Sequence, residues 1–127
     1  MNTLTRNTLI SAFAVALTVA ASSTTAWARD KIPPTMPKNF TAQTINGQNI
    51  KLQWAESDDN FGVERYHLMR DGNVVTRTDQ LSYIDSGLQA GSSYRYDVMA
   101  DDGENYSFVS SIVVTIPVGS KAKTVAR

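Results

Sequence analysis

From Asn39 onward, hydrophobic and polar residues alternate with a period of two. In "NIKLQWAE", Ile50, Leu52 and Trp54 alternate with Lys51, Gln53 and Ala55, which predicts a strand with one buried and one wet face. In "VERYHLMRDG", Tyr66 and Leu68 point one way while Arg65, His67 and Met69 point the other. In "YRYDVMADD", Tyr94, Tyr96, Val98 and Ala100 share the core face, with Arg95, Asp97 and Met99 outside. Turn signals separate these runs: Asn46-Gly47, Asp59-Asn60 with Gly62, Asp71-Gly72, Ser86-Gly87, Ala90-Gly91 and Asp102-Gly103. The pattern predicts seven strands, near 39–45, 49–56, 63–71, 73–78, 81–85, 93–101 and 106–116, and no helix. Short strands at this spacing make an all-β sandwich or barrel.

The segments on either side read differently. Residues 29–38 carry Pro33, Pro34 and Pro37, which favour an extended lead-in to a domain over 39–118. Residues 119–127 are small, polar and basic, the composition of a flexible tail. Residues 1–28 have the layout of a signal peptide: Arg6, an apolar run from Leu9 to Ala21, then small polar residues ending in Ala26-Trp27-Ala28. That run falls short of the roughly 20 residues needed to span a bilayer, so cleavage after Ala28 is expected, with an uncleaved anchor as the alternative.

The sequence holds no cysteine, so an oxidising compartment contributes no disulfide and stability rests on packing. Its 12 basic and 12 acidic residues balance. That balance argues against nucleic-acid binding and against strong attraction to a membrane surface.

In order along the chain, "PPTMPKNFTAQ", "IKLQWAESDDNFGVERYHLMRDG" and "SYIDSGLQAGSSYRYDVMADD" resemble the strands of a fibronectin type III domain over residues 33 to 117. The most specific parts are Trp54 in the second strand, Ser57-Asp58-Asp59-Asn60 with Gly62-Val63 before Tyr66, and Leu88 six residues before Tyr94. The resemblance implies a seven-stranded immunoglobulin-like β-sandwich in which Trp54, Leu88 and Tyr94 are structural. Tyr94 then supplies a tyrosine corner, its hydroxyl bonded to backbone upstream. The spacing is most similar to the bacterial subgroup found beside catalytic domains of secreted chitinases and other polysaccharide hydrolases; no catalytic domain accompanies it within these 127 residues. One departure is "ADDGENYS", which in that subgroup runs a residue longer, so an altered loop between the last two strands is expected.

The polar residues of residues 54–72 carry little chemistry as a sequence. A calcium loop with glycine sixth and glutamate twelfth fails in both registers: Gly62 as sixth puts Leu68 twelfth, and Gly103 as sixth puts Val109 twelfth. Asp58, Asp59 and Asn60 are expected instead to cap their own backbone, and no divalent ion is expected to stabilise the fold. His67, on the outer face, neighbours the strand holding Asp97, and a pairing of the two is conceivable. General base catalysis needs a nucleophile, an oxyanion site and a pocket besides, and a lone histidine without cysteine cannot build the usual zinc set. No catalytic, cofactor or metal residue is therefore assigned.

Phe40, Trp54, Tyr66, Tyr83, Tyr94 and Tyr96 fall on core faces. Phe61 and Tyr106 sit in two loops that a sandwich of this kind gathers at one end, where they are candidates for contact with a partner or a glycan. The plainer arrangement, and the expected one for Phe61, is a plug in the open end of the core. The function expected is that of a secreted or periplasmic, soluble, monomeric and non-enzymatic module that binds another protein in the envelope or outside the cell. The alternative is a carbohydrate-binding accessory module whose partner is a polysaccharide. Purified protein is expected to begin at Arg29 by intact-mass measurement; a chain retaining Met1 or Ala20 contradicts the cleaved, soluble form.

Overall fold

The computed structural model describes residues 29–119. The leader 1–28 with its cleavage at Ala28, and the tail beyond Gly119, lie outside them. Seven strands form along the chain: β1 Lys38–Asn46, β2 Asn49–Ala55, β3 Arg65–Arg70, β4 Asn73–Thr78, β5 Ser82–Asp85, β6 Ser93–Asp101 and β7 Ser110–Thr115. They make two antiparallel sheets, one ordered β1-β2-β5 and the other β4-β3-β6-β7. Asp71 and Gly72 close the β3–β4 hairpin with φ of 49° and 82°, the left-handed pair that matches a two-residue turn to the twist of its strands.

The alternation read from the sequence becomes the core. Ile50, Leu52 and Trp54 of β2 face Tyr66 and Leu68 of β3 and Tyr96, Val98 and Ala100 of β6 in one buried cluster that also takes in Phe40, Leu88 and Ile116. Trp54 sits at its centre, edge-on to Phe40 with ring centroids 6.2 Å apart and tilted against Tyr66 at 5.7 Å. Tyr83 and Tyr94 pack against this cluster but are only partly buried. The Tyr94 hydroxyl accepts a hydrogen bond from the Gln89 backbone N–H at 2.9 Å, one residue past the buried Leu88.

One polar group crosses between the sheets. Asp85, at the end of β5, is buried, and its Oδ2 accepts from the Tyr96 hydroxyl at 2.6 Å and from Arg70 Nη1 at 2.8 Å. Tyr96 and Arg70 are register partners on β6 and β3 of the opposite sheet. Burial opposes the Arg70 charge, but the Asp85 carboxylate outweighs it and the guanidinium pKa is raised. Burial and the hydrogen bond to Asp85 both push the Tyr96 phenol well above its ordinary value. The Arg70 guanidinium also lies 5.6 Å from the centre of the Tyr94 ring, a cation–π distance.

The seventh strand begins later than expected, at Ser110 rather than 106. Tyr106 makes only an isolated bridge to Asp101. At the next position the Ser107 hydroxyl accepts from the Ala100 N–H at 2.8 Å while the Ser107 N–H donates to the Ala100 carbonyl at 2.9 Å. A side chain thus takes a ladder bond that backbone would otherwise make, and regular pairing waits until the chain has passed it.

Trp54→Ala is expected to cost roughly 3 to 5 kcal/mol, as a core aromatic deletion, measured from denaturant midpoints. Tyr96 gives a pH signature. Its folded pKa is raised, so its contribution is complete below the free tyrosine value of about 10 and is lost as pH rises above it. The stability gap between the natural protein and Tyr96→Phe should therefore be constant from neutral pH to about 9 and narrow above about 10; a gap that widens there contradicts this assignment.

Candidate functional site

The loops between β2 and β3 and between β6 and β7 meet at one end of the sandwich, where the lead-in also docks. Thr35 and Asp58 hold the lead-in to the first loop through two bonds: the Thr35 N–H donates to the Asp58 carbonyl at 2.9 Å, and the Asp58 N–H to the Thr35 hydroxyl at 2.8 Å. Pro34 and Pro37 are buried beneath it. The two loops are joined where the Glu64 N–H donates to the Asp101 carbonyl at 2.8 Å.

Asp59 caps its own turn as the sequence suggests, its Oδ2 accepting from the N–H groups of Phe61 and Gly62 at 2.8 and 2.9 Å. Its neighbours behave differently: the Asn60 amide donates to Asp30 Oδ1 at 3.3 Å, and the Asp58 backbone binds Thr35. Asp102 shapes the second loop, its Oδ1 accepting from the N–H groups of Glu104 and Asn105 at 2.7 and 2.6 Å. Burial works to raise the Asp102 pKa, but the Asn105 side chain and these backbone donors outweigh it, and the carboxyl lies below its ordinary value.

Phe61 does not plug the core. Gly62 adopts φ 99°, a left-handed turn, and Val63 then packs inward against the core while Phe61 is left 73% exposed. Tyr106 is 55% exposed and Phe108 86% exposed. Phe108 went unremarked in the sequence because residues 106–116 read as one strand; the irregular stretch before Ser110 is what leaves it outside the sheet.

His67 also differs from expectation. It stands on the outer face but is only 6% exposed. Its carboxylate partner is Asp101, not Asp97: Nε2 lies 2.8 Å from Asp101 Oδ2. The register explains this, since His67 pairs with Met99 while Asp97 stands opposite Met69, further along β3. Asp97 instead accepts from Arg95 Nε at 3.1 Å and from the Ser111 hydroxyl. The Tyr106 ring closes over the imidazole edge-on, with centroids 5.4 Å apart. The pair is oriented like an acid–base dyad, yet a covered ring bonded to a buried carboxylate offers a substrate little approach. Its evident effect is to seat Tyr106 and leave the rest of that ring in solvent.

No protein-family profile matches the chain. It is 37% identical over 93 residues to Chitinase Chi52 of Paenibacillus xylanexedens, covering 72% of this chain and 18% of that protein. It is 34% identical over 93 residues to an alpha-amylase of Niallia circulans and 36% identical over 93 residues to a gellan lyase of a Bacillus species, covering 72% and 71% of this chain but 7% and 4% of those proteins. The chain thus spans less than a fifth of the length of each of these relatives. Among solved structures, Chitinase ChiA74 from Bacillus thuringiensis aligns with TM-score 0.64 at 27% identity, over 69% of this chain and 14% of the other. The sixth fibronectin type III domain of human fibronectin type III domain containing protein 3 aligns with TM-score 0.61 at 19% identity, over 72% of this chain and 92% of the other.

Proposed function

We propose that this chain, a fibronectin type III sandwich similar to single segments of polysaccharide-acting enzymes, works as an exported, non-catalytic accessory module that contacts another protein. The observation that carries the reading is the loop end, where Phe61, Tyr106 and Phe108 present exposed rings on two loops anchored to a rigid sandwich. Rigid scaffolds with exposed aromatic loops are a common way to build a binding surface. The relatives' names point to a chitinase, an amylase and a gellan lyase, whose polymers differ in sugar, linkage and charge. A module shared among such enzymes has little reason to read one polymer's chemistry, which favours a protein as the contact. The signal-peptide layout read in residues 1–28 supports a contact in the periplasm or outside the cell, where the module would act as a soluble monomer.

The exposed rings also favour a second reading, in which they stack on sugar rings of a polysaccharide. Cosedimentation separates the two. The protein is expected to stay in the supernatant with insoluble chitin, cellulose and starch, and Phe61→Ala with Tyr106→Ala is expected to leave that result unchanged. Retention on any of the three that the double substitution abolishes would transfer the assignment to the polysaccharide.

A further inference from the structure

Three acidic side chains from separate parts of the sequence converge at the loop end. Asp30 comes from the lead-in, Asp59 from the β2–β3 loop and Asp102 from the β6–β7 loop, and each offers a carboxylate oxygen within 4.8 Å of the other two. All three are partly buried. Asp30 Oδ1 accepts from the Ile32 N–H at 3.0 Å and the Asn60 amide at 3.3 Å, and Asp59 Oδ2 takes the two loop N–H groups described above. The second oxygens, Asp30 Oδ2 and Asp59 Oδ1, have less than 1 Å² of exposed surface each and no hydrogen-bond partner. Asp102 Oδ2 receives only the Asn105 amide, at 3.0 Å.

Nothing in the described residues balances this charge. No lysine or arginine nitrogen there lies within 4.0 Å of any of the three carboxylates; the nearby Arg29 pairs with Glu104, and Arg65 with Glu64 and Asp101. A carboxylate oxygen sealed from water without a donor is costly, and like charges gathered beside it raise that cost. A cation removes both penalties at once. The donors are all anionic oxygen, the chemistry of a hard cation rather than of zinc or copper. Oxygens bound to one calcium at about 2.3–2.6 Å lie no more than about 5 Å apart, so this spread meets the requirement as it stands. The remaining positions of a six- to eight-coordinate ion fall to water or backbone oxygen.

We propose that Asp30, Asp59 and Asp102 form a calcium site that clamps the lead-in to the β2–β3 and β6–β7 loops. The site is independent of the module's partner and replaces the expectation of an ion-insensitive fold. That expectation rested on searching for ligands within a single loop, whereas here each of three segments supplies one.

Calcium chloride added to the full chain tests this. Melting temperature is expected to rise by about 5 °C or more between chelator and several millimolar calcium, with a smaller rise for magnesium. Backbone amide resonances of Asp30, Asp59 to Gly62 and Asp102 to Asn105 are expected to move together. Asp30→Asn combined with Asp102→Asn should abolish the calcium response, while melting lower in chelator because Asp102 no longer caps its loop as a carboxylate; Asp58→Asn should keep the response. If the double variant fails to fold, titration of the natural protein decides alone. Unmoved resonances and an unchanged melting temperature up to 10 mM calcium would overturn the proposal, as would a calcium response that survives the double substitution.

Discussion

A carboxylate between two sheets must be answered from the opposite side, and Asp85 is answered twice. With no cysteine in the chain, no disulfide ties one sheet to the other. Dispersion and apolar burial hold the layers together but leave their relative placement loosely specified. Asp85 fixes it: its Oδ2 reaches Tyr96 and Arg70 on adjacent strands of the other sheet, so β5 can occupy only one position over β3 and β6. Removing one member of such a group leaves a buried charge unanswered, which is why these ties discriminate between alignments more than they add stability. The apolar cluster around Trp54 fills the space that this placement defines.

The two ends of the sandwich are built on different terms. At the Asp85 end, carboxylate, phenol and guanidinium satisfy one another. At the other end Asp30, Asp59 and Asp102 face one another with two oxygens unpartnered, while His67 and Asp101 form a closed pair beneath Tyr106. The exposed aromatics stand on this second end. The proposed ion would be held in part by the same two loops that carry these rings.

Period-two alternation together with the turn signals was enough to find seven strands, though not the start of the last, because half-buried strands write their two faces directly into the sequence. Asp71-Gly72 announced its hairpin because few other pairs tolerate two left-handed residues. What stayed hidden depended on geometry between segments. Phe61 looked like a core plug until the left-handed Gly62 sent Val63 inward in its place. A pairing of His67 with Asp97 is conceivable from the sequence because strand neighbours can be read there while their register cannot. Ser107 gave no sign that its hydroxyl would replace a backbone acceptor and delay β7. The acidic trio was the least legible feature, since no local pattern relates a residue of the proline-rich lead-in to one in the last loop.

The path of the chain through the sandwich has a mechanical consequence. The lead-in arrives beside the β2–β3 and β6–β7 loops, whereas the described chain leaves past Ile116, which bonds to Ser92 and Gly91 at the start of β6. The two points lie at opposite ends, separated by the length of β6, nine residues or about 30 Å at the rise of an extended strand. Tension applied through both ends would run along β1 and β7 rather than across them. Hydrogen bonds loaded in that direction share the force and fail together rather than one at a time.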